Sequence, residues 1–282
     1  MRRVIEFRAN RIIYNFIKSN SIQGQAIVPA NLCQSVIDTL LFAGMNLIFV
    51  DISTETLCAD SSSVIKHAEN ASLFLFVHTY GVDDDCPSWF FNVKKTNPNI
   101  AIIDDRCLCF PSFTFNEEYV DLVLFSFGEK KQVNLGGGGL GFISSKWKYE
   151  RIHIDVPSLF VTQEWGFEKE LFIEKSQRTL IHKKQLNHIY EQNLPKGIQM
   201  QRKYQQWRFN IIVPQKDLIL REIFNAGLFA SSHYKSLSSD CLIANHLHEH
   251  IINLFNDFNY SEEQAIQTCR IIIEVLKHHD RL

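Results

Sequence analysis

Six short apolar runs, at 26–28, 47–50, 73–77, 100–103, 122–125 and 140–143, set the terms on which this chain can fold. Each is dominated by Val, Ile, Leu, Phe and Ala with no polar residue alternating through it, so each suits a strand buried on both faces. Helix-length segments at 34–43, 61–70 and 87–96 lie between the earlier runs. Strands alternating with helices predict an α/β domain over residues 1–150, with a mostly parallel central sheet sandwiched by helices. Carboxylates stand where such strands end, at Asp51 and at Asp104 and Asp105. In open α/β sheets ligands bind along that rim.

Beyond about residue 148 the pattern changes. A long charged helical segment at 164–192 is broken by Asn193-Leu-Pro195. A strand at 209–213, a helix at 216–226, a strand at 228–231 and helices at 242–251 and 261–278 follow, the last opening on the capping box Ser261-Glu-Glu-Gln264. These elements predict a smaller α+β domain over 151–282. With 22 Phe against 12 Gly, the core is expected to be aromatic.

Composition narrows the partners. A net charge of −2, with 21% charged residues, gives no reason to expect nucleic acid or an anionic membrane. No apolar run approaches the ~18 residues that span a bilayer, and Met-Arg-Arg leads into no apolar signal segment. Seven scattered cysteines, Cys33, Cys58, Cys86, Cys107, Cys109, Cys241 and Cys269, include no Cys-x-x-Cys pair and suit reduced thiols in a cytoplasm. No metal is expected. Cys107 and Cys109 lack further ligands at zinc-like spacing. His246, His248 and His250 alternate along a helical segment and, taken as an alternating set, share no face.

The chemistry concentrates in Asp121-Leu-Val-Leu-Phe-Ser126-Phe-Gly-Glu-Lys130-Lys131 and the following Gly136-Gly137-Gly138-Gly139. A buried strand delivers a serine, then a lysine five residues on, then a turn of glycines. That order suits a pyridoxal 5'-phosphate (PLP) site: lysine forms a Schiff base with the cofactor aldehyde and the serine hydroxyl donates to its phosphate. Glycines admit an anionic ligand or a second subunit close to the backbone. A carboxylate ending the 100–103 run can pair with the protonated ring nitrogen. Plainer roles exist for each: a surface lysine, a helix N-cap at Asp105, a strand-end hydroxyl at Ser126. Residues 136–141 also fit Gly-x-Gly-x-x-Gly, but that fingerprint should open a helix, whereas this one leads into the run at 140–143.

From Gln25 onward the chain resembles the DegT/DnrJ/StrS family of PLP-dependent sugar aminotransferases. The likeness rests on Ala26-Ile-Val-Pro29, on Ala43-Gly44 leading to Phe49-Val-Asp51-Ile, and on Phe76-Val-His78-Thr-Tyr80-Gly81. It continues through Ile102-Ile-Asp104-Asp105, Phe125-Ser126-Phe-Gly-Glu-Lys-Lys131, the glycine run, and Asn225-Ala-Gly227 with His233-Tyr234-Lys-Ser-Leu237. It implies the aspartate aminotransferase (type I) fold and a homodimer with sites near the subunit interface. It further implies Lys131 as the Schiff-base lysine, with Lys130 one place out of register, Asp105 on the ring nitrogen and Ser126 on the phosphate. The phosphate turn would fall near Ala9-Asn10-Arg11, so Asn10 or Arg11 would serve there. The position of the cofactor-stacking aromatic falls at Cys33.

Five departures stand beside the likeness. Leu108 occupies the place of the family's Gln or His, three residues after Asp105; Cys33 carries no ring; Gly137 replaces a glutamate; and the N-terminal arm and the Asn-x-Arg segment after the glycines have no counterpart. The implied reaction transfers an amino group from an amino acid, glutamate by expectation, to a nucleotide-linked keto sugar of the kind used in polysaccharide biosynthesis. The alternative is a weak or inactive homologue that binds a partner on the same fold. A sugar dehydratase of the family would carry histidine in place of Lys131.

Overall fold

A computed structural model of the chain describes residues 1–82, 88–115, 117–152 and 164–279. Cys86 and Pro87, the expected start of a helix, lie outside them, as do 153–163 just past the expected domain boundary. Among the described residues the main sheet has seven strands: β1 (Arg2–Glu6), β2 (Gly24–Pro29), β3 (Met45–Val50), β4 (Ala71–Val77), β5 (Ala101–Asp105), β6 (Leu122–Ser126) and β7 (Gly139–Ile143). Their order is β1-β7-β6-β5-β4-β2-β3. The five strands from β6 to β3 are parallel, and β7 runs antiparallel to both β6 and β1.

Side chains alternate along each strand, and the alternation builds two cores. Leu73, Leu75, Val77, Ile103, Leu122 and Leu124 face α1 (Ala9–Ser19) and α2 (Gln34–Phe42). Phe74, Phe76, Ile102, Val123 and Phe125 face α3 (Ser61–Ala68) and α4 (Phe90–Thr96). Much of the phenylalanine content is spent in this second layer, where Phe74, Phe76 and Phe90 meet edge to face.

A second, antiparallel sheet has the order β8 (Phe209–Ile212), β10 (Ile251–Leu254), β9 (Ala230–Ser231). Its own core, including Leu186, Tyr190, Ile223, Ile252 and Ile272, is shared with α5 (Lys169–Asn193), α6 (Lys216–Asn225) and α8 (Glu262–His279). The capping box of α8 forms reciprocally: Ser261 N–H donates to Gln264 Oε1 at 2.8 Å, and Gln264 N–H to Ser261 Oγ at 3.2 Å. Between the sheets lies α7 (Leu242–His250). Three elements go beyond the sequence reading: β1, α1 and β10. The helix expected over 242–251 ends at His250, and Ile251 already belongs to β10.

Candidate active site

The chain turns back at β2 and β4: β3 lies to one side of this pair and β5 and β6 to the other. A cavity of about 510 Å³ opens there, at the carboxyl ends of β2, β4, β5 and β6. That is the switch-point crevice of an open α/β sheet.

Strand alternation decides which side chains reach it. Asp105 shares the pleat parity of Ile103, and Ser126 that of Leu122 and Leu124, so both face the layer in which the cavity lies, and both line it. Asp105 Oδ1 also accepts the Cys107 N–H at 2.9 Å. Asp104 points the other way. Its carboxylate meets His78 Nε2 at 2.6 Å and accepts from Arg106 Nε at 2.7 Å, all three side chains being buried.

Lys131 follows β6 through a turn closed by its own N–H donating to the Gly128 carbonyl at 3.0 Å. It is half-buried and lines the cavity, and its side-chain amine makes no hydrogen bond or ion pair among the described residues. Cys107 locates it electrostatically. Burial pushes that thiol well up, the Asp105 carboxylate adds to the rise, and Lys131 opposes it. The amine and the carboxylate therefore act on one spot of the cavity wall. Lys130 also lines the cavity but is exposed.

The opposite wall is the N-terminal end of α1. Ala9 and Asn10 line the cavity, and the amide groups of a helix's first turn have no partners within the helix. Asn10 Nδ2 donates to the Ser35 carbonyl at 2.9 Å. Arg11 does not line the cavity; one residue further along the helix than Asn10, its guanidinium donates to the Ile152 carbonyl at 2.6 Å. The placement of Arg11 thus departs from the expectation of a phosphate ligand. The glycines explain how close this helix comes. A Cβ on Gly139 would lie 2.5 Å from Ala9 N, and one on Gly138, at φ +107°, would lie 2.2 Å from the Trp165 ring. The run leads into β7, not a helix, which removes the dinucleotide reading.

Cys33 and Leu108 line the cavity where the sequence placed them. Rings come from elsewhere: Phe7 precedes α1, and Tyr234 approaches from the loop before α7 with its ring stacked at 10° on Trp207. Neither was singled out as a site residue, nor were Arg8 and Asn31, which also line the wall. For Tyr234 a signal existed, since the His233-Tyr234 motif belongs to the resemblance. Asn31 offers a ligand test. Its Nδ2 donates to the Leu57 carbonyl at 3.0 Å, while its Oδ1 is buried without a partner. A buried acceptor of this kind calls for a donor from water or a ligand. An unengaged amine, a carboxylate, a hydroxyl, the first residues of a helix and an orphaned acceptor fit a phosphorylated pyridine aldehyde.

No known family profile matches the chain, and no curated protein does. Solved structures match it along nearly its whole length. Spr1654 of Streptococcus pneumoniae, in its PMP form, superposes with a TM-score of 0.73 at 16% identity, covering 99% of this chain and 88% of that one. A DegT DnrJ EryC1 StrS aminotransferase of Brucella abortus gives 0.71 at 12%, covering 98% and 86%. The sugar aminotransferase CalS13 of Micromonospora echinospora gives 0.69 at 13%, covering 96% and 86%. At such identities the likeness speaks for architecture, and the architecture of this chain is that of the DegT/DnrJ/EryC1/StrS aminotransferases.

Proposed function

We propose that the protein is a PLP-dependent sugar aminotransferase, which moves an amino group from an amino acid to a keto sugar carried on a nucleotide. The observation that carries the proposal is the convergence of Lys131, Asp105 and Ser126 on one cavity at the switch point of this fold. Lys131 would hold the cofactor covalently. Asp105 would hold the proton on the ring nitrogen, and Ser126 with the first amides of α1 would bind the phosphate. When bound, PLP supplies an electron sink for the carbanion formed as the amino-acid proton leaves. Lys131 Nζ would serve as the general base and general acid that moves a proton during the transfer. Tyr234 and Phe7 line the cavity and would limit water there.

The nucleotide-linked substrate and glutamate as donor follow from the family resemblance. So does a homodimer, which the exposed Leu41 and Phe42 on α2 and Leu180 and Ile181 on α5 favour. Cytoplasmic location rests on the six described cysteines, all free thiols. No helix among the described residues is long and apolar enough to cross a membrane. The division into domains at residue 150 is supported by the separate cores of the two sheets.

A second reading has its own observation. Cys33 and Leu108 present a thiol and an isobutyl group to the cavity where a stacking ring and a hydrogen-bonding side chain are expected. A protein that binds the cofactor, or a partner, without turnover would look like this.

The test is a visible absorption spectrum after adding PLP, followed by borohydride reduction and peptide mapping. Transaminase function predicts a band bleached by glutamate and a reduced adduct on Lys131 that is absent in Lys131→Ala. A persistent band that glutamate leaves untouched would favour the binding protein. No band and no adduct would overturn both cofactor readings, and an adduct on Lys130 would move the anchor by one residue.

A further inference from the structure

The last turn of α7 holds a cluster that has no part in the proposed transamination. We infer that His246, Glu249 and His250 form a binding site for a divalent zinc-type cation. One ligand atom from each lies within 4.8 Å of those of the other two, and the two imidazole rings stand 4.4 Å apart, centre to centre. Modest side-chain rotation closes such a set to the ~2.0–2.2 Å bonds that zinc makes with imidazole and carboxylate.

The sequence reading missed the site by treating three alternating histidines as one group. Residues four apart in a helix share a face, and so do residues three apart. His246 and His250 therefore come together, with Glu249 beside them. His248 falls on another side, its Nδ1 3.4 Å from Ser232 Oγ.

Several features preorganise the cluster. His250 Nδ1 faces the His246 carbonyl at 2.8 Å. A carbonyl only accepts, so Nδ1 carries the hydrogen and Nε2 is left with its lone pair toward solvent. Fixing one ring nitrogen on a backbone oxygen is how metal-binding histidines are commonly oriented. The helix beneath is anchored at both ends. Asp51 accepts from Ile243 and Ala244 N–H at 2.9 and 3.0 Å. Lys216 Nζ donates to the His248 carbonyl at 2.7 Å, and Val213 N–H to that of His250 at 2.9 Å. Ala244, Leu247 and Ile251 are buried on the inner face, so the three ligands project from a fixed outer one. The negative end of the helix dipole adds to the attraction for a cation.

The donor set selects the ion. Two imidazoles and one carboxylate suit zinc and the late first-row metals better than magnesium or calcium, which prefer all-oxygen ligands. Three protein ligands leave at least one position for water or for a group from another molecule.

The experiment is calorimetric titration of the full chain, without a histidine tag and freed of metal with chelator, using zinc sulfate. One equivalent is expected to bind. His246→Ala and His250→Ala should each weaken it at least tenfold and Glu249→Gln several-fold, with His248→Ala unchanged. His246 and Glu249 are exposed and His248 and His250 half-buried on an anchored helix, outside its buried inner face, and unfolding midpoints in chelator should match wild type. Cobalt titration separates this site from the thiols, because ligation by imidazole and carboxylate gives no thiolate-to-metal charge-transfer band. The inference is overturned if no stoichiometric zinc binds, if binding survives His246→Ala and His250→Ala, or if a thiolate band accompanies cobalt. None of these readouts depends on PLP.

Discussion

Asp104 and Asp105 are adjacent residues with the same side chain, and strand geometry sends them to opposite faces of β5. Burial alone would raise the pKa of Asp104, but the charge and hydrogen bond of His78, joined by those of Arg106, outweigh it and hold the carboxyl below its ordinary 3.8. A depressed acid stabilises the fold wherever it is ionised. That contribution is complete above pH 3.8 and is lost as pH falls through the lower folded value. Acid titration of wild type should therefore lose stability below pH 3.8, and Asp104→Asn should flatten that limb. Removing one member of a buried ionic cluster costs about 3–5 kcal/mol, which urea unfolding at neutral pH would read. Asp105→Asn should behave differently. Asparagine can still accept the Cys107 N–H, so the unfolding midpoint should hold. The glutamate half-reaction, measured by bleaching of the visible band, should slow roughly 10²-fold if, as proposed, the Asp105 charge holds the ring-nitrogen proton. A large fall in stability with unchanged half-reaction would reverse the two assignments.

At the scale of elements, the site depends on how closely β7 admits the start of α1. A methyl group at Gly139 would meet the backbone of Ala9, both N at 2.5 Å and Cα at 2.6 Å, and backbone cannot rotate aside. Gly139→Ala should destabilise the protein by about 1–3 kcal/mol, as overpacking does. Because the displaced amides are those proposed for the phosphate, PLP affinity should fall with it. Gly44→Ala is the contrast: it meets nothing within 4 Å and has only its φ of +90° to strain. The strands from β2 to β7 were legible because each is a continuous apolar run bounded by polar spacers. The edge strand β1 was not, since Arg2 and Arg3 are exposed and only Val4 is buried, leaving no pattern of period two. Nor does α1 announce its start, for Arg8 supplies no side-chain cap. β10 follows α7 without a glycine or proline between, so the helical reading ran on to Ile251. At the site, strand ends betrayed Asp105 and Ser126. Asn31 and Tyr234 come from loops brought in by packing, which local pattern does not encode.

Across the whole molecule, the question is whether two sheets with separate cores behave as one folding unit. They share a third cluster, in which Ala30, Leu57 and Tyr80 from the first sheet's loops meet Trp207, Ala244 and Leu247. Tyr80 OH donates to the His233 carbonyl at 2.7 Å, and Trp207 N–H to that of Tyr80 at 3.1 Å. Asp51, at the end of β3, supplies the cap that α7 lacks locally, since Cys241 makes no side-chain cap bond. The helix start is thus completed by a residue from the other half of the chain. Asp51→Ala should cost ~1 kcal/mol, the ordinary value of an N-cap. Leu247→Ala removes a buried side chain from the shared cluster and should cost about 2–5 kcal/mol. If the cluster couples the sheets, both variants lower the urea midpoint of the entire molecule. Far-UV circular dichroism and tryptophan fluorescence would then remain superimposable, with an unchanged slope. Transitions that separate in wild type, or a Leu247→Ala effect confined to the smaller sheet, would mean that the halves fold independently. Rigidity between the cavity at the main sheet and Tyr234 on its far rim would then have to come from ligand or a second copy of the chain.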